Sequence, residues 1–113
     1  LVSQQFKKQD RILKRKEYVE LSDKGKKVHN RHFVLIYSEN SKEKSRLGIT
    51  VTKKVGKAVQ RNKIKRYCRE FFRLNRSALP ENRDINIVAK KQSIYLDSTK
   101  TFQTLENLFK KID

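Results

Sequence analysis

The chain has 113 residues, with 29 Lys and Arg against 12 Asp and Glu and a formal net charge of +17. Hydrophobic residues make up 35% and charged residues 36%, so a single compact domain must spend most of its Ile, Leu, Val and Phe on one core. No stretch approaches the roughly 18–20 apolar residues of a transmembrane helix, and a lone Cys68 excludes an intrachain disulfide or a CxxC metal site.

Self-repulsion at this charge opposes folding, and a polyanionic partner relieves it. Nucleic acid, an anionic membrane surface or an acidic protein would serve. The polar start, Leu1 to Asp10, lacks the apolar core of a secretion signal, so the expected location is cytoplasmic. His29 and His32 are the only histidines. Without a third ligand at a sensible spacing they make a poor zinc site, and they read as surface polar residues or phosphate contacts.

In chain order, residues 1–10 read as a flexible arm. Residues 16–24 read as a short helix with Tyr18, Leu21 and Ser22 on one side and Gly25 as its stop. Residues 31–38 form a β-branched and aromatic strand. Phe33, Leu35 and Tyr37 point one way and Val34 and Ile36 the other, so both faces require cover. The polar stretch Glu39 to Ser45 reads as a hairpin loop. Residues 46–53 form a strand on which Leu47, Ile49 and Val51 alternate with Gly48, Thr50 and Thr52. The small second set leaves room for a groove. Residues 57–76 form the main helix, residues 84–91 a further strand, and residues 99–111 a closing helix striped with Phe102, Leu105, Phe109 and Ile112. Strands mixed with helices at this length predict a small sheet with helices packed on it.

The segment KKVGKAVQRNKIKRYCREFFR, residues 53–73, carries the functional argument. On a helix of 3.6 residues per turn, Ile64, Tyr67, Cys68, Phe71 and Leu74 share one face. Asn62, Lys65, Arg66, Arg69, Arg73 and Arg76 share the opposite one, and Glu70 is the only acid. A solvated helix face normally mixes signs, because like charges at i, i+4 are destabilising. Lys65 with Arg69, and Arg69 with Arg73, are such pairs, and a polyanion lying along the helix explains them. A membrane-surface helix would need its apolar face exposed, but the sheet requires that face. The Arg content favours phosphate recognition by planar guanidinium groups. Tyr18, Val34 and Ile36 beside Thr50 and Thr52 suggest a partly apolar groove of the kind that binds single strands. Ordinary core packing is the competing reading for Tyr18 and Ile36.

The same segment resembles the signature of the bacterial ribonuclease P protein family, through Lys53, Lys54, Gly56, Ala58, Val59, Arg61, Asn62, Lys63, Lys65, Arg66 and Arg69. The resemblance extends outwards. RILKRKEYVELSDKG is similar to the family's first helix, NRHFVLIY to its first strand, RLGITVTKK to its third and DINIVAKK to its last. It implies a single α+β domain, an α/β sandwich of order α-β-β-β-α-β-α, ribosomal-protein-like, with a four-stranded sheet and a left-handed βαβ crossover. The short second strand is then expected within or just before Glu39 to Lys44.

The resemblance also implies the protein subunit of an endoribonuclease whose active site lies in a catalytic RNA, with Mg²⁺ held by that RNA and no cofactor bound by the protein alone. The implied partners are ribonuclease P RNA and the 5′ leader of precursor tRNA, with no membrane and no protein partner required. Lys53, Lys54, Arg61, Asn62, Lys63, Lys65, Arg66 and Arg69 are the implied RNA contacts. Tyr18, Val34, Ile36 and Thr50 are the implied leader contacts. Ser22 stands where the family often carries a second aromatic, which predicts a less hydrophobic cleft. The sequence offers no carboxylate pair, no nucleophile beside a base and no ligand cluster. The alternative is a general or ribosomal RNA-binding protein of similar fold.

Overall fold

The computed structural model describes residues 8–42, 44–79 and 82–112. The main elements are α1 (Arg15–Lys24), β1 (Lys26–His29), β2 (Phe33–Glu39), β3 (Arg46–Thr50), α2 (Ala58–Asn75), β4 (Arg83–Ala89) and α3 (Ser98–Phe109). Short 3-10 turns precede α1 and flank β4. Most of the expected arm lies outside the described residues, but Lys8–Asp10 form the first of these turns and Asp10 is fully buried.

The four strands form one mixed sheet in the order β1-β2-β4-β3. β4 is antiparallel to β2 and parallel to β3, so β3, α2 and β4 make a βαβ unit. Two expectations fail here. The short strand missed by periodicity is the first, Lys26–His29, and not a segment near Glu39 to Lys44. NRHFVLIY therefore supplies the second strand. Only Val28 of β1 is sheltered, so this edge strand has no alternation to read. Glu39 to Ser45 is a loop but closes no hairpin, because β4 inserts between β2 and β3. Asn40 organises the loop. Its side-chain oxygen accepts from the Lys42 N–H at 2.8 Å, and its amide donates to Asp84 at 2.7 Å.

The two faces of β2 separate as its alternation requires. Phe33, Leu35 and Tyr37 join Leu47, Ile85 and Ile87 in the main core, against Ile64, Cys68, Phe71 and Phe72 of α2 and Leu105, Leu108 and Phe109 of α3. Phe71 meets Phe102 and Phe109 edge-on, with centroids 5.7 and 5.0 Å apart. The apolar face of α2 is rotated from the expected one: Phe72 is fully buried, whereas Leu74 is 45% exposed. Burial pushes the Cys68 thiol up to about 12, which leaves it an inert core residue.

On the opposite face, α1 lies across the sheet, with Ile12, Leu21 and Ile36 buried and Tyr18, Val34 and Val88 packed around them. Close approach demands two glycines. A Cβ on Gly48 would stand 2.6 Å from the Tyr18 ring. A Cβ on Gly25 would stand 2.6 Å from the Leu21 carbonyl oxygen and 2.9 Å from Ile36 Cγ2. Gly25 ends α1 with an extended backbone, φ −74°, so tight contact and not a left-handed turn selects it.

Arg46 locks α1 to the sheet. Its guanidinium donates to both oxygens of Asp84, at 2.9 and 2.7 Å, and to Glu17 of α1 at 2.8 Å. The hydrogen bond from Arg46 holds the Glu17 carboxyl below its ordinary value of 4.5. A depressed native pKa gives stability that is complete above the unfolded value and is lost as pH falls through the lower native one. Urea melts should therefore show stability falling as pH drops below 4.5. Glu17→Gln should flatten that fall and cost less than about 1 kcal/mol at neutral pH. Identical pH slopes in the two proteins would contradict this.

Candidate nucleic-acid interface

β3 ends at Thr50, earlier than the expected 53, and the chain turns over Lys53–Val55 before α2 begins. The turn buries Val55 in the core, closes through Val55 N–H to the Thr52 oxygen at 3.0 Å, and leaves Lys53 and Lys54 exposed. Gln60 caps α2 by accepting from the Lys57 N–H at 2.9 Å. Arg61 Nε donates to the Gly56 carbonyl at 3.1 Å, so this cation is held against the turn.

Along α2, Asn62, Lys63, Arg66 and Arg69 are exposed, and Arg61 and Lys65 are half-buried. Lys63 and Arg66 sit over the Tyr67 ring, 5.9 and 5.6 Å from its centroid. Tyr67 is thus a half-buried flank between the two faces. Residues 44–69 contain no Asp or Glu, and the cations of the turn and the first half of α2 accumulate without acids of their own segment. The C-terminal end of the helix differs. Arg73 pairs with Glu70, which raises the Arg73 pKa and lowers that of Glu70. Arg76 lies 3.1 Å from the buried Asp10 carboxylate, which Lys44 also meets at 2.7 Å. Arg76 therefore fastens the N-terminal segment to α2 and does not belong to the open basic face expected for it.

The α1 side of the sheet is read in cross-strand rows. Val34, Val88 and Thr50 form one row, all half-buried. Ile36, Asn86 and Gly48 form the next, all buried. Tyr18 lies over that second row, with its ring on Gly48. Its phenol pKa is raised, chiefly by burial. Thr50 donates to Asn86 Oδ1 at 3.1 Å. The structure thus keeps Tyr18, Val34 and Thr50 along an accessible strip that leads directly into the Lys53 turn. Ile36, only 7% exposed, packs beneath α1 and is corrected from contact residue to floor. Ser22 is exposed at the far end of α1.

Sequence reasoning missed Val88 and Asn86, although the alternation Asp84, Asn86, Val88 in β4 carried the signal. It also missed Arg46, whose partners lie 29 and 38 positions away. Among the described residues, no three His, Cys, Asp or Glu side chains are grouped to hold a metal ion. His32 stays near the sheet end, its pKa lowered by burial and by Arg31 and Lys90. No helix among them is long and apolar enough to cross a membrane.

A profile of the ribonuclease P family matches residues 6–113. The chain belongs to the ribonuclease P protein family. The ribonuclease P protein component of Desulfosudis oleivorans is 50% identical over 106 residues, covering 94% of this chain and 88% of its own. The RNase P protein of Staphylococcus aureus superimposes with a TM-score of 0.85 at 36% identity, over 89% of this chain and 93% of that one. The RNase P protein of Thermotoga maritima gives 0.85 at 36% identity, over 91% and 97%. As a ribonuclease P protein, the chain should lose electrostatic contacts when its basic helix is neutralised. Replacing Arg66 and Arg69 by Ala should flatten the slope of log affinity against log salt for ribonuclease P RNA, by about 0.7–0.9 per lost phosphate contact. An unchanged slope would place that face away from RNA.

Proposed function

We propose that the chain binds the catalytic RNA of ribonuclease P and the 5′ leader of precursor tRNA, and so assists endonucleolytic removal of the leader in the cytoplasm. The observation that carries this is the contiguity of a basic surface, whose own segment contains no acid from residue 44 to 69, with a partly apolar strip on the sheet. Lys53, Lys54, Arg61, Asn62, Lys63, Lys65, Arg66 and Arg69 face the RNA subunit, where charge-assisted bonds to phosphates offset the repulsion among them. The strip of Tyr18, Val34 and Thr50, with Val88 and the floor residue Ile36, receives the single-stranded leader. The Tyr18 ring supplies a π-face and the aliphatic side chains a dry wall.

On this reading the protein is the non-catalytic subunit. The donor groups among its described residues do not fit a metal site, and the Mg²⁺ that promotes hydrolysis is held by the RNA. The protein's part is to bring two polyanions together and to hold the leader. A differential affinity of about 1–3 kcal/mol for leader-bearing precursor over product gives roughly 5–150-fold selectivity. Shortening the leader to a single nucleotide should therefore weaken precursor binding to the holoenzyme by a factor in that range, while the RNA alone should be nearly indifferent. Equal loss with and without the protein would overturn the leader role.

A further inference from the structure

We infer that Asn86, on the floor of the cleft between Ile36 and Gly48, reads a base of the precursor leader through its side-chain N–H groups and so makes the protein selective for leader sequence. The inference rests on the leader reading above and adds to it a residue which that reading does not use. Asn86 lies in the middle of β4, paired with Ile36 of β2 and Gly48 of β3. It is 6% exposed, and its side chain shares the α1 face of the sheet with Ile36 and Val88.

Asparagine is a poor choice for a central strand. Such positions favour β-branched and aromatic side chains, and a buried amide that lacks part of its hydrogen-bonding set costs stability. Asn86 has half of that set. Thr50 donates to its Oδ1 at 3.1 Å. Its Nδ2 hydrogens have no partner among the described residues. The nitrogen is not sealed either. It keeps an opening to solvent, and on this face of the sheet that opening is the cleft. Thr50 does not require the asparagine, because its half-buried hydroxyl can bond water.

The neighbours aim the amide. Thr50 pairs in register with Val88 and not with Asn86, so the bond between them is diagonal. It draws the Asn86 side chain along β4 toward the accessible Val34–Val88–Thr50 row. The same bond sets the amide's orientation, with the oxygen on Thr50 and the nitrogen turned from it. Gly48 has no side chain, and the Tyr18 ring fills the space, 2.6–2.8 Å from where a Cβ would stand. The ring is thus next in the row to Asn86, and a base that lies against it brings an edge to Nδ2. Apart from Thr50, the surroundings are Ile36, Val34, Val88 and Tyr18, which suit a base better than a phosphate. The N–H groups accept a ring nitrogen or a carbonyl oxygen at that edge and reject an amino group.

The test uses the holoenzyme and a set of precursor tRNAs in which each leader position in turn carries A, C, G or U. Binding by the RNA subunit alone gives the baseline. With the wild-type protein, one leader position should show a base preference of about 2- to 10-fold beyond that baseline, the worth of one hydrogen bond. Asn86→Val should abolish that preference and leave the preference for a full leader over a single nucleotide. Its melting temperature should not fall, because Val suits a central strand. A variant that keeps the wild-type preference at every position would overturn the inference. So would a variant that melts earlier and weakens equally toward every leader, since Asn86 would then be structural. A wild type that favours a full leader without any base preference beyond the baseline would overturn the role of Asn86 and leave the cleft standing. A wild type indifferent to leader length would overturn the cleft and this inference together.

Discussion

Repulsion among 29 cations facing 12 acids is the constraint on which this structure depends. The few acids are placed where they hold elements together. Asp10 joins the N-terminal turn to the end of α2 and to the loop after β2. Glu17 and Asp84 converge on Arg46 and tie α1, β3 and β4 at one point. Only the pair on fully buried Asp10 is costly to break, because removing its cations would strand a buried charge, whereas Arg46 keeps Asp84 if Glu17 is neutralised. The consequence is a division of the surface. Near Arg46 the acids Asp10, Glu17 and Asp84 are each tied to a cation, whereas among the described residues the turn and first half of α2 form no such pair.

α2 shows how the same constraint shapes a helix. Ile64, Cys68, Phe71 and Phe72 give it a buried face that the small core cannot do without. Its other face carries like charges at helical spacing, which a free helix would disfavour. The core interaction therefore holds the helix in a conformation that its surface opposes. The folded domain presents a charged surface already ordered for a polyanion, and membership of the ribonuclease P protein family fits that physical design.

Much of this was legible in the sequence because helix and strand periods expose it. The two faces of Phe33–Tyr37, the small face of Gly48 and Thr50, and the basic face of α2 were all readable from alternation or from helical spacing. β1 was not, since one sheltered valine in four residues makes no pattern. The order of strands was not either: Glu39–Ser45 looks like a hairpin loop locally, and only long-range pairing shows that β4 separates its ends. Ile36 and Arg76 looked available by type, but tertiary partners claim both: Leu21 and Ile12 for one, Asp10 for the other. Side chains that bridge distant segments leave no local signal, and Arg46 is the clearest case.

The central claim is that this protein works by organising RNA around a chemistry that the RNA performs. The most direct measurement is leader release from precursor tRNA by a bacterial ribonuclease P RNA at low, near-physiological Mg²⁺, with and without the protein. The account predicts strong stimulation by the protein, and no cleavage by the protein when the RNA is omitted. Cleavage by the protein alone, or tight RNA binding with no stimulation across several bacterial RNAs, would contradict it.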